Sequence, residues 1–183
     1  MSSNKPTIPE YYRQYVEQPA RKAPQKEGGK KIPVPPEERQ EVYRANSFSL
    51  NINNEWRDKT VYILAGPVTD GIQHNITIVV DPEVQVDSLE QYAELQIATV
   101  EQELKGCHLL LKDDKKLQCG IPAKRAIFKW YPSEEVRVYQ QQLYIMHNTT
   151  GYTLTATFTK KTRKTLGPQV ERMMLSFQPN ENG

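Results

Sequence analysis

No apolar run in this 183-residue chain approaches the roughly 20 residues a helix needs to cross a bilayer. The opening, MSSNKPTIPEYYRQ, lacks the charged-then-apolar leader of an exported protein and has no cysteine for a lipid anchor. Both absences predict a cytoplasmic protein with no stable membrane insertion. Cysteine is scarce as well: Cys107 and Cys119 are the only two, and in that setting they are expected as reduced thiols. Charge is nearly balanced, at a formal +2, short of the one-sided basic excess of a nucleic-acid binder, so nucleic acid is not an expected partner. The chain has no Gly-rich phosphate loop, nucleophile elbow or zinc signature. Its three histidines, His74, His108 and His147, lie far apart at the edges of expected strands and read as surface residues. No catalytic residue, metal set or cofactor is expected, and the chain is not expected to be an enzyme.

What is present is unevenly distributed. Residues 1–42 hold seven of the thirteen prolines and the basic stretch Gln25–Lys31, which predicts a flexible proline-rich arm with too little apolar surface to fold alone. Within it, Tyr11, Tyr12, Tyr15 and Val16 have helical spacing. A domain is expected over 43–178, followed by a disordered tail at 179–183. Ser47–Ile52 alternates as a strand, and Thr60–Ala65 and His74–Val80 read as a hairpin with a longer loop through Asp70-Gly71. Leu89, Ala93, Ile97, Val100 and Leu104 recur at helical spacing, with Asp87 and Glu90 as an expected capping box and Gly106 as the stop. Strands follow at His108–Lys112, Ala123–Trp130, Val136–His147 and Tyr152–Phe158. Asp113–Lys116 is expected as a solvated turn. Gly167-Pro168 opens a second helix carrying Val170, Met173, Met174 and Phe177. The basic run Lys160–Lys164, with no interleaved aromatics, reads as a solvated connection, although it could meet phosphate or an acidic partner. Together these elements predict an α+β domain: an antiparallel sheet with helices covering one face.

Two polar features stand out against the apolar pattern. Gln96 falls within the stripe of the first helix, three residues after Ala93 and four before Val100. Gln140 and Gln142 share a strand face with Val138, Tyr144 and Met146. Carboxamides so placed must find partners or carry a desolvation cost. They fit either a strand whose second face meets water or a mixed apolar and amide groove.

Tyr43–Ile52 followed by Trp56-Arg-Asp58, then Thr60–Leu64, the helix from Leu89 to Gly106, Ile121–Ala126 with Phe128-Lys-Trp130, and Tyr139–Ile145 together resemble the DcrB-related family. Its effector-associated (Eag) members are chaperones of the bacterial type VI secretion system. The resemblance spans roughly residues 43–178 and leaves the arm outside the family pattern. It implies a Mog1/PsbP-like fold, a twisted antiparallel sheet flanked by helices, and a homodimer. It also implies a concave surface that holds the N-terminal transmembrane helices of a secreted effector and helps load the effector onto the secretion spike. By position in the family pattern the groove would use Val61, Ile63, Gln96, Leu104 and Gln142. Ile76, Ile78, Val100, Gln140 and Tyr144 complete the expected client-binding set. The alternative is a non-catalytic Mog1-like adaptor for a soluble protein partner.

Overall fold

A computed structural model describes residues 40–45, 47–53, 56 and 58–180. The helical spacing at Tyr11–Val16, most of the arm and residues 181–183 lie outside that set. The chain divides into two units at residues 55 and 56. In the first, β1 (Gln40–Arg44) pairs antiparallel with β2 (Ser49–Asn53), Tyr43 opposite Leu50. The Ala45 N–H closes the turn on the Phe48 carbonyl at 3.0 Å, and the Tyr43 and Phe48 rings stand 6.1 Å apart. The expected boundary at 42/43 therefore cuts through β1.

The second unit is a six-stranded antiparallel sheet in the order β3-β4-β8-β7-β6-β5. Its strands are β3 (Val61–Thr69), β4 (Ile72–Asp81), β5 (His108–Lys116), β6 (Pro122–Trp130), β7 (Val138–His147) and β8 (Thr150–Phe158). The β3–β4 loop is tighter than its sequence suggests. Asp70 and Gly71, at φ 56° and 79°, form a two-residue turn that only residues tolerant of the left-handed region make readily. Asp113–Lys116 is not a turn but the end of β5, paired with β6 as far as Pro122.

Helices cover both faces of the sheet rather than one. On one side α1 (Leu89–Glu103) sets Tyr92, Ala93 and Ile97 against Ala126, Phe128 and Tyr144. On the other, Met174 and Val170 of α3 (Gly167–Leu175) pack on Leu143, Ile145, Leu154, Ala156 and Phe158. The reason lies in β7, where Val138 and the run from Gln140 to Ile145 are buried on both sides; such a strand needs two covers. The basic run before α3 contains a single helical turn, α2 (Thr162–Thr165). Pro179 is buried, so the fold extends one residue into the expected tail.

The cap of α1 sits one residue later than expected. Ser88 is the N-cap, its Oγ accepting from the Gln91 N–H at 3.3 Å, while the Gln91 side chain accepts from the Asp87 N–H at 3.0 Å. Glu90 does not reach back; it pairs with Lys112 and Lys124 on the sheet face beneath the helix.

Candidate functional site

Register decides which expected site residues share a surface, because cross-strand partners lie on one face. One row on the α1 side runs Ile63, Thr77, Thr155, Gln142, Ala126 and Lys112. The next runs Val61, Val79, Thr153, Tyr144, Lys124 and Asp114. Gln140 lies on the same face, opposite Thr157 and Phe128. Thus Val61, Ile63, Gln140, Gln142 and Tyr144 come together on one side of the sheet.

Ile76 and Ile78 do not join them. They pair with Ala156 and Leu154 on the α3 side and pack into that core. The β4–β8–β7 register turns them away from Gln142, and a β-bulge between Ala65 and Val68, where Gly66 and Pro67 oppose the single residue His74, puts Val61 and Ile63 on the other face from them. Beside the turn, Thr69 pairs with Ile72 and Val68 with Gln73; beyond the bulge, Ala65 pairs with Asn75. Without that extra residue Ile63 would face Ile78 and lie with it on the α3 side, away from Gln142. A one-residue offset moves a whole strand to the other face.

The site grades from exposed and apolar to buried and polar. Val61 is 41% exposed and Ile63 56%, whereas Thr77, Thr153, Gln140 and Gln142 are all buried. The buried amides have partners. Trp130 Nε1–H donates to Gln140 Oε1 at 3.1 Å, and the Tyr144 hydroxyl donates to Gln142 Oε1. Tyr92 OH and Thr153 Oγ1 lie 3.1 Å apart. Burial pushes the Tyr144 phenol well above its ordinary value, so it stays a neutral donor, and burial also raises Tyr92. Gln96 is half-buried, and its side-chain amide has no hydrogen-bond partner among the described residues. Val100 packs on the α1 core, and Leu104, half-buried, closes the helix by donating its N–H to the Val100 carbonyl at 3.0 Å.

On its other flank α1 is tied by charge. Glu90 is held below the usual carboxylate range, chiefly by the hydrogen bond from Lys124. Glu94 bonds Lys112, whose ammonium is raised in turn. Thr77, Thr153, Trp130 and Tyr92 belong to this face but were not anticipated. Tyr92 lies on the apolar stripe of α1, and the alternation of Thr153 with Tyr152 and Leu154 marks its face; those were the available signals.

His74 also departs from expectation. It is 4% exposed, its Nδ1 lies 3.1 Å from the Thr157 carbonyl, and Nε2 has no partner among the described residues. It packs beside Phe158 on the α3 side, away from the residues above. Among the described residues no group of three His, Cys, Asp or Glu side chains could hold a metal ion, and no helix is long and apolar enough to cross a membrane. Cys107 and Cys119 are free thiols.

An antiparallel sheet flanked by helices, with a hydrogen-bonded amide row beside an exposed aliphatic margin, is the α+β class this chain adopts. The DcrB family model matches residues 48–176, and the chain belongs to the DcrB family. Among solved structures it resembles the Pseudomonas aeruginosa protein PA94, of unknown function, at 20% identity and a TM-score of 0.62, covering 77% of this chain and 97% of that one. It is also similar to cyanobacterial PsbP (CyanoP) from Synechocystis, at 10% identity, 83% and 98% coverage and a TM-score of 0.48. LpqN of Mycobacterium tuberculosis, involved in cell envelope biogenesis, follows at 15% identity, 77% coverage of both chains and a TM-score of 0.43. No curated protein matches the chain.

Proposed function

We propose that this DcrB-family chain is an effector-associated chaperone of a type VI secretion system. It binds the N-terminal transmembrane helices of an effector in the cytoplasm, as a homodimer, and passes the effector to the secretion spike. The observation that carries the reading is the row Ile63–Thr77–Thr155–Gln142. An exposed aliphatic margin meets a polar floor beside a helix that carries the half-buried Gln96. A transmembrane segment in water exposes apolar surface at a cost of about 25 cal/mol per Å². Val61 and Ile63 cover such surface, while the free amide of Gln96 suits the small polar residues that transmembrane helices carry. Holding a helix in a groove uses no catalytic residue and no cofactor.

The reading predicts that the purified chain keeps a synthetic transmembrane-helix peptide soluble. Val61→Asp with Ile63→Asp should weaken that binding at least ~10-fold, or about 1.4 kcal/mol. Gln96→Leu should discriminate against helices bearing Ser or Thr. Sedimentation of peptide and protein together reads both. Equal retention by the double aspartate variant, or preference for a soluble folded partner over any apolar peptide, would move the assignment to a Mog1-like adaptor.

A further inference from the structure

Cations on the sheet are partnered in one region and unpartnered in another. Lys112 and Lys124 pair with Glu90, and Lys115 and Arg125 with Glu171. At the other end of the α3 face, Arg137, Lys160, Arg163, Lys164 and Lys129 have no ion-pair partner among the described residues. Glu134 and Glu135 precede Arg137 in the chain, yet neither pairs with it. Both arginines gather round one ring. The guanidinium of Arg163 stands 4.9 Å from the centre of Tyr139 and that of Arg137 5.8 Å, while Lys129, the cross-strand neighbour of Tyr139, sets its ammonium 5.8 Å from the Tyr131 ring. Tyr139, Lys160, Arg163 and Lys164 line an open cleft of about 350 Å³.

We propose that this cleft docks an acidic polypeptide segment, a run of Asp or Glu side chains from a protein partner. Contact with Tyr139 restrains the two arginines, leaving their N–H groups to meet carboxylates. Like charges held so close without counter-charge repel one another, and an acidic guest relieves that repulsion. Carboxylates on a peptide suit the site better than the other anions. A single-stranded nucleic acid wants free aromatic faces for its bases, and Tyr139 is half-buried with cations over it. Arg137, Lys160, Arg163 and Lys164 are all exposed, so each pair contributes under about 1 kcal/mol and a multivalent ligand is required. The cleft lies on the opposite face from Val61 and Ile63, so the chaperone reading and this one stand or fall separately.

A fluorescent decaglutamate peptide titrated against the full chain at low ionic strength tests the idea. Binding should fall roughly 10-fold with Arg163→Glu, and steeply as salt shortens the Debye length below about 10 Å. Lys116→Glu makes the same change in net charge about 20 Å away along the sheet and should leave binding within twofold of the parent. Tyr139→Leu, with charge unchanged, should weaken it, and circular dichroism confirms that each variant is folded. The proposal is overturned if Lys116→Glu and Arg163→Glu act alike. It is equally overturned if inorganic phosphate, a phosphatidylserine vesicle or an oligothymidylate binds the chain more tightly than the peptide, or if the peptide does not bind.

Discussion

Gly151 shows how little room separates α1 from the sheet. A Cβ there would stand 2.5 Å from Tyr92 Cζ and 2.7 Å from Val84 Cγ1, closer than real side chains come. Nothing about Gly151 in the sequence announces this, because the neighbour it must admit arrives from a helix nearly sixty residues earlier. Gly151→Ala should destabilise the fold by about 1–3 kcal/mol through overpacking, read as a lower urea midpoint with an unchanged slope. The same change with an unaltered midpoint would mean that Tyr92 is not seated over β8 as described. Register is equally hidden at this scale. The alternation of Gln140 and Gln142 was legible because a strand has period two. The separation of Ile76 and Ile78 from Val61 and Ile63 was not, because it hinges on one extra residue beside Pro67.

Elements are legible in sequence wherever local chemistry fixes them and obscure where two adjacent residues compete. The α1 stripe, Gly106 as its stop and Pro168 in the first turn of α3 were visible in spacing alone. The N-cap was not, since Asp87 and Ser88 both suit the position and only the backbone decides: Ser88 takes the extended conformation at φ −148°, ψ 152°. Ser88→Ala should therefore cost about 1 kcal/mol, whereas Asp87→Ala should cost a few tenths at most. Thermal melts followed at the helix band separate the two, and a larger loss at Asp87 would return the cap to the earlier position. Asp113–Lys116 is obscured for a related reason, since a run of charge in sequence suggests a turn. Those charges are instead partners: Asp113 chelates Arg125 at 2.8 and 2.7 Å, and Arg125 reaches on to Glu171 of α3 at 2.6 Å. Arg125 holds the Asp113 carboxyl below its usual range.

Across the molecule, the α+β class and the helix-flanked antiparallel sheet were legible, but their layering was not. A strand such as β7, apolar and amide-rich on both sides, signals two covers only when both alternating sets are counted. Three tyrosines give this double-sided core an alkaline limit. Burial raises Tyr144, Tyr92 and Tyr152 above the ordinary value, while the unfolded chain ionises them near pH 10. The native state thus keeps protons that the unfolded state gives up. Stability is complete below about pH 10 and falls as pH rises toward the higher native values. Tyr144→Phe should flatten that decline, and at neutral pH it should cost about 1–3 kcal/mol, because Gln142 Oε1 loses its donor. Urea unfolding at pH 7 and above pH 10 checks both signs; a decline as steep in the variant as in the parent would assign the loss to other groups.

Among the described residues β3 forms one margin of the six-stranded sheet, and Pro67 interrupts it. A proline has no amide hydrogen to lend, and the distorted backbone around it cannot continue an even ladder. Only the short run from Val61 to Ala65 is left regular enough to accept a foreign strand. The kink that sets the facing of Val61 and Ile63 thereby also acts as a guard against runaway polymerisation, letting the molecule keep greasy side chains at its rim without inviting fibrils.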